Sequence, residues 1–327
     1  MHVGHEKSRR RGVQLVGLFF LALVVAIQLT PCSATGVSKS SSHPLLGQIH
    51  DVKRDMTISK DALLRELASA DFVLLGEVHD NAEHHEMQAE VLRSLIAQGR
   101  MRALAMEQFD REFQPAIDAA LAQAGMSADA VADAGGFDRK GWSWPFYAPL
   151  VAIAVDARLS IVAINLSRPR TREIARQGFA ALGSGMAEEL ALERHWTAAQ
   201  QAIQMREIDE GHCGKMPSSA MPRMVDVQRA RDATMADALL RQAGAGAVVI
   251  AGAGHVRNDV GVPVYLSARA PAKRVVSVGF VEVDANLSAI GDYVRLPATA
   301  FPFDYVWFTT AAKRDDPCVG LVMPNRQ

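Results

Sequence analysis

Four short apolar runs, residues 72–75, 103–106, 161–164 and 247–251, constrain this chain more than any other feature. Each is apolar throughout, without the alternation of a sheet that faces water on one side, so each reads as a strand buried on both faces. Segments with helical periodicity separate them, near residues 60–69, 81–98, 113–124, 146–158, 186–208 and 223–242. Such alternation predicts the α/β class: a largely parallel central sheet with helices on both faces. Two later runs, 275–283 and 305–309, read as antiparallel C-terminal additions. No internal repeat or long low-complexity stretch follows residue 42, so residues 45–327 are expected to form a single domain.

Polar residues gather where the strands end. Glu77 and His79 follow the first run, Glu107 the second, Asn165 the third and His255 the fourth. In parallel α/β sheets the ligand crevice lies outside the carboxyl ends of the strands. Four separate strands therefore deliver ionisable or amide side chains to one edge.

The first of these ends is Gly76-Glu77-Val78-His79-Asp80-Asn81, followed shortly by Glu83, His84 and His85. Gly76 lets the chain turn off the strand, and Asp80 is placed to cap the next helix, with Glu83 reaching back as a capping box. Capping chemistry accounts for Asp80, Asn81 and Glu83. It does not account for Glu77 with His79, nor for the adjacent pair His84-His85. One of that pair could face the crevice while the other meets solvent, and any of the three histidines could contact a cofactor. Gly252-Ala253-Gly254-His255 repeats the Gly-x-x-His spacing of Gly76 to His79, and again follows an apolar strand. One such motif means little; two at strand ends form a specific pattern.

Between them lies Trp142-Ser143-Trp144-Pro145-Phe146-Tyr147, a local excess in a chain that is 6% aromatic. It reads either as a hydrophobic plug under a loop or as a flat wall for a planar cofactor. In the second reading Tyr147 offers a phenolate, an established axial ligand of haem iron, as are imidazole and thiolate. On the helix near residues 223–242, a buried Arg231 needs a partner such as Asp232 or Glu107. Its functional reading is an anchor for a ligand carboxylate.

The N-terminus carries Lys7, Arg9, Arg10 and Arg11, then an apolar run over residues 15–29 that is short for a membrane span. Residues 1–34 read as a signal peptide, with cleavage after Ala34, and residues 35–44 as a disordered lead-in. Lipidation at Cys32 is the alternative, although Pro31 stands where a lipoprotein signal has a small residue; an uncleaved anchor is a third. The implied location is the periplasm. Of the three cysteines, Cys213 and Cys318 remain once Cys32 is lost or lipidated, and an oxidising compartment makes a disulfide their simplest fate. Two inert thiols or a metal site are the other readings. The formal net charge is −1, which gives no basis for a nucleic-acid partner.

Taken together, these residues resemble the ChaN-like haem-binding (lipo)protein family. The resemblance rests on Leu74 to Asn81 with His84-His85, on Ala105-Met106-Glu107-Gln108, and on Trp144 to Pro149. It continues through Asn165-Leu166, Gln228 with Arg231-Asp232, Met235-Ala236 and Gly252 to His255. It implies an exported, often lipid-anchored protein that binds haem, is linked to iron acquisition, and pairs as a homodimer around stacked haems. A tyrosine would bond the iron and a histidine assist. By position these are Tyr147 and one of His79, His84 or His85.

The wider superfamily includes erythromycin esterase-like hydrolases and the Tiki and TraB proteins, which share paired Gly-x-x-His motifs and acidic residues at strand ends. Seen that way, Glu77, His79, Glu107 and His255 resemble an acid/base quartet that activates water directly or through a divalent metal. Haem binding and hydrolysis therefore stand as two competing expectations.

Overall fold

The structure, a computed structural model, describes residues 43–319 apart from 102, 195, 244–245, 295–297, 299 and 317. The segments expected to be signal peptide and lead-in, through residue 42 and including Cys32, lie outside the described residues. Among the described residues no helix is long and apolar enough to cross a membrane.

The strands are β1 (Ile49–Asp51), β2 (Met56–Ile58), β3 (Phe72–Glu77), β4 (Ala103–Asp110), β5 (Ser160–Asn165), β6 (Ala247–Gly252), β7 (Val275–Glu282) and β8 (Tyr305–Thr309). They form one sheet in the order β2-β1-β8-β7-β3-β6-β4-β5. The helices are α1 (Lys60–Ala68), α2 (Ala82–Ala97), α3 (Gln114–Leu121), α4 (Ala128–Ala134) and α5 (Trp144–Asp156). They continue with α6 (Arg168–Gln177), α7 (Met186–Glu189), α8 (Ala198–Gly211), α9 (Met221–Gln242) and α10 (Val262–Arg269).

Period-two alternation sorts the strand side chains onto two cores. Val73, Leu75, Leu104, Met106, Ile161 and Ile250 pack with residues of α1 to α5 on one face. Phe72, Leu74, Ala105, Val162, Ile164 and Val249 pack with α9 and α10 on the other. Both faces are covered, which is why these strands read as unbroken apolar runs.

The antiparallel pairing expected at the C-terminal side occurs at β8, whose antiparallel partner is β1, itself hairpinned to β2. The β7 and β8 strands themselves extend the parallel set, β7 against β3 and β8 against β7. Each is reached by a connection long enough for a crossover, as parallel pairing requires. The helix expected over residues 186–208 is interrupted. Ala191 takes a positive φ of 57°, and Thr197 starts α8 afresh with a capping box to Gln200.

Gly76 shows what brings the two Gly-x-x-His motifs together. A Cβ there would lie 2.3 Å from Val256 Cγ2 and 3.0 Å from the Ala253 Cα. The turn after β6 therefore rests directly on β3, and the Ala253 N–H donates to the Glu77 carbonyl at 2.9 Å.

The chain after β8 runs along the same edge. Arg314 bridges Asp80 and Glu282 at 2.6–2.8 Å, and Cys318 is disulfide-bonded to Cys213, 105 residues earlier, just beyond α8. Closing a loop of about 100 residues is worth roughly 4 to 5 kcal/mol in chain-entropy terms. The purified chain should gain the mass of two hydrogens on reduction and then melt at a lower temperature. Two titratable free thiols at Cys213 and Cys318 before reduction would contradict the bond.

Candidate functional site

The site is built outward from Glu77, the last residue of β3, buried to 2% exposure. Its Oε1 accepts from the Tyr147 hydroxyl at 2.6 Å, from His79 Nδ1 at 2.8 Å and from Gln108 Nε2 at 3.3 Å. Its Oε2 accepts from Gln88 Nε2 at 2.7 Å, with His85 Nδ1 3.3 Å away. Burial alone would raise this carboxyl group. The hydrogen bond from His79, the fields of His85 and His79, and the Tyr147 hydroxyl outweigh it and hold Glu77 below the usual range.

Tyr147, on α5, is fully buried. Burial, reinforced by the charge of Glu77, pushes its phenol far up, so it stays a protonated donor. In this arrangement it backs the site from inside the protein. His85, also buried, is stacked on Phe146 with ring centroids 5.0 Å apart, and its Nε2 lies 3.1 Å from the His79 carbonyl. His79 is different: its side chain is 44% exposed. Its ring lies over Gly252, where a Cβ would sit 2.9 Å from Cε1 and 3.0 Å from Nε2. Trp142 meets it edge-on at 4.7 Å. Desolvation opposes protonation of His79, but Glu77 and Glu107 prevail and raise its pKa.

His84 points away from this group. Its Nδ1 accepts the Val78 N–H at 2.9 Å and its Nε2 donates to Thr309 Oγ1 at 2.8 Å, so it ties the turn to β8 as a neutral ring. Burial lowers its pKa to about 4. Neither member of the pair meets solvent, because both His84 and His85 are buried. The capping reading also changes. Asn81 caps α2, accepting from the Glu83 and His84 N–H groups. Asp80 instead pairs with Arg314, while Glu83 accepts the Thr310 N–H at 2.8 Å. Arg314, more than two hundred residues downstream, draws Asp80 away from the helix end.

Below Gly252 lies a second ionised group. Glu107 Oε1 accepts from Arg231 at 2.6 Å, and Oε2 accepts the Gly252 N–H at 2.7 Å. Arg231 also donates to Asn165 Oδ1 at 3.1 Å. His255 is held between Asp232, 2.5 Å from Nδ1, and Glu107, 3.4 Å from Nε2. Gln228 Nε2 lies 3.0 Å from the same Nδ1. Burial and Arg231 disfavour the imidazolium, yet Glu107 and Asp232 lift His255 to about 9. Glu107 is held well below the carboxylate range despite burial, by His255 and Arg231.

The structure thus brings Glu77, His79, His85 and Tyr147 together, with Glu107, His255 and Arg231 directly beneath, and leaves His84 outside. Sequence reasoning missed Gln88 and Gln108 as donors to Glu77. Gln88 sits three residues after His85 on the same helix face, a spacing that could have revealed it. Among the described residues, no group of three or more His, Cys, Asp and Glu side chains is arranged to hold a metal ion. The carboxylates are already occupied by the donors around them.

A doubly wound α/β sheet with a buried carboxylate–imidazole site at its carboxyl edge defines the general class. The profile of the family described as haem-binding uptake, Tiki superfamily, ChaN matches residues 63–266, and the chain belongs to that family. Among solved structures it is similar to ChaN of Campylobacter jejuni, described with cofacial haem binding. The TM-score is 0.64, with 22% identity over 80% of this chain and 95% of that one. The type III effector HopBA1 aligns at a TM-score of 0.42 and 15% identity, over 77% of this chain and 93% of that one. An erythromycin esterase, EreC, aligns at 0.39 and 14%, over 78% and 80%. No curated protein matches the sequence.

Two histidines with large, opposite shifts contribute to the pH response. An unfolded histidine titrates near 6.5. His255, raised to about 9, contributes stability that is complete below about pH 6.5 and is lost as pH rises through 9. His84, lowered to about 4, binds its proton more readily when unfolded, so stability falls as pH drops from about 6.5 toward 4. Urea midpoints should therefore peak near pH 6.5. In His255→Asn the alkaline decline should flatten while the acid decline remains; equal slopes in both proteins would contradict the assignment.

Proposed function

We propose that this chain is an exported, periplasmic haem-binding protein serving iron or haem acquisition, with His79 presented to the haem iron at the carboxyl edge of the sheet. Family membership supports the ligand. The observation that carries the site is the half-exposed His79 ring, whose Nδ1 is held by the buried Glu77 carboxylate. Metal-bound histidines characteristically donate their other ring nitrogen to such a group, which fixes tautomer and orientation. Among the described residues Nε2 has no hydrogen-bond partner, and imidazole is an established axial ligand of haem iron. The donor set therefore fits haem.

Bound haem would supply a redox-active iron centre; the chain's own residues position it. Glu77 orients His79, Trp142 limits the tilt of its ring, and Gly252 leaves room beneath it. Tyr147 holds Glu77 from the inside. For its oxygen to bond iron, the hydroxyl would have to leave Glu77 and give up its proton. The basic stretch and apolar run before residue 30 support export. A lipid anchor at Cys32 and pairing of two subunits around stacked haems belong to the same proposal.

A second reading, a hydrolase, is favoured by the presence of two Glu–His pairs, Glu77–His79 at 2.8 Å and Glu107–His255 at 3.4 Å. In it His79, with Glu77 behind it, would take a proton from water. Ester and peptide substrates, with Glu77→Gln as control, test this. A turnover lost in the variant supports hydrolysis; equal rates in both proteins exclude the pair as its catalyst.

Titration with hemin tests the main reading. Saturable binding with a shifted Soret band is expected at micromolar hemin, at least tenfold weaker in His79→Ala. Because its raised pKa makes protons compete for His79, affinity should increase with pH above about 6.5. Absence of any saturable spectral change, or full affinity in His79→Ala, would overturn it.

A further inference from the structure

Asp80, the residue after His79, is held from far down the chain. Arg314 donates to its two carboxylate oxygens at 2.7 and 2.8 Å, and to both oxygens of Glu282 at 2.6 Å. One planar guanidinium, whose fork suits carboxylates, thus joins the His79 turn to the end of β7. The residues before it add to the seam. The Thr310 N–H donates to Glu83 at 2.8 Å and the Ala312 N–H to Glu282 at 3.0 Å. In return Asn81 donates to the Thr310 carbonyl at 2.8 Å and to Glu282 at 2.7 Å. The turn of residues 79–81 is therefore fixed through Glu77 at one end and through this tail at the other.

The tail has little else to hold it. Residues 310–316 form neither helix nor strand and contain no large apolar side chain. Segments at the end of a chain fray unless they are tied down, and exposed ion pairs alone contribute little. The tie is the bond from Cys318, just beyond Arg314, to Cys213 at the end of α8. Lys215 adds a donation to the Cys318 carbonyl at 2.8 Å. Arg314 thus lies on a span pinned at β8 on one side and at α8 on the other. Cys213 takes a left-handed backbone, φ 58°, which a residue with a side chain keeps only where its surroundings demand it. Both cysteines are half-buried, so a reductant can reach the bond.

We propose that this tail is a redox-dependent strap on the His79 turn, with Arg314 as the positioning residue and the Cys213–Cys318 bond as its clasp. A dithiol reductant opens it by exchange. One thiolate of the reductant attacks a sulfur of the pair, forming a mixed disulfide and releasing the other cysteine as a thiolate. The second thiol of the reductant then attacks the reductant's own sulfur in the mixed disulfide and frees the second cysteine. Two electrons pass to the pair, two protons complete its thiols, and the reductant leaves as a disulfide. The freed tail frays, Arg314 loses Asp80, and the turn is no longer held in one geometry. A ligand of His79 must then order the turn as it binds, so reduction weakens it. The inference rests on the haem reading above and adds to it control by the thiol–disulfide state.

Amide hydrogen exchange in the ligand-free protein reads the strap without haem. Wild type is compared with Cys213→Ser/Cys318→Ser and with Arg314→Ala, which keeps the disulfide. The Asn81, Thr310 and Ala312 amides should exchange at least about tenfold faster in both variants, while the β6 amides keep their protection. Wild type treated with dithiothreitol should match the serine variant. Hemin is titrated without reductant, because thiolates themselves ligate haem iron. Both variants should bind it roughly threefold to fivefold more weakly, and Arg314→Lys should recover part of the loss. If the serine pair also loosens β6, Arg314→Ala decides the matter alone. Unchanged exchange at Asn81, or unchanged hemin affinity in Arg314→Ala, overturns the strap while leaving the haem reading in place. A wild-type protein that binds no hemin overturns the haem reading and leaves the strap to the exchange rates.

Discussion

Burying a carboxylate at the end of a central parallel strand is costly unless donors surround it. The Glu77 carboxylate imposes that requirement, and the rest of the site follows from meeting it. Tyr147 comes from α5, Gln88 and His85 from α2, Gln108 from β4 and His79 from the strand's own exit. Four segments, reaching from the strand's own exit to α5 some 70 residues on, are thereby held on one group. Of the two histidines among them, His79 alone is exposed, so a ligand that reaches it meets an imidazole already oriented by a fixed partner.

The second network has a different character. Glu107 is neutralised by Arg231 and also receives the Gly252 N–H, while His255 lies buried between Glu107 and Asp232. These contacts fix the turn on which the His79 ring lies. The repeat of Gly-x-x-His therefore has unequal halves: one histidine is presented to solvent and the other braces the floor beneath it. Gly76 and Gly252 serve the same geometry, the first letting the β6 turn pack on β3, the second making room for the His79 ring.

Much of this is legible in the sequence, for identifiable reasons. Strands covered on both faces are continuous apolar runs, so β3 to β6 stand out, and polar residues at their ends must lie at one edge of a parallel sheet. What escapes depends on partners distant in the chain. Asp80 looks like a helix cap until Arg314 claims it and Asn81 takes the cap. Nothing local to Tyr147 announces its hydrogen bond to Glu77, 70 residues away in the chain. Adjacent on a helix, His84 and His85 could face different ways, and only the packing of β8 and α5 shows that both are covered. The β1–β2 hairpin is too short, three residues a strand, to leave a pattern. The direction of β7 and β8 depends on which edge each crossover reaches, and composition does not encode it.

The central claim is that buried Glu77 organises and charges the exposed histidine. It is tested most directly by following the His79 ring in a nuclear magnetic resonance titration of the ligand-free protein and of Glu77→Gln. A pKa above the ordinary 6.5 is expected in the wild-type protein and a fall in the variant, with the fold intact. The same pKa in both proteins would contradict it.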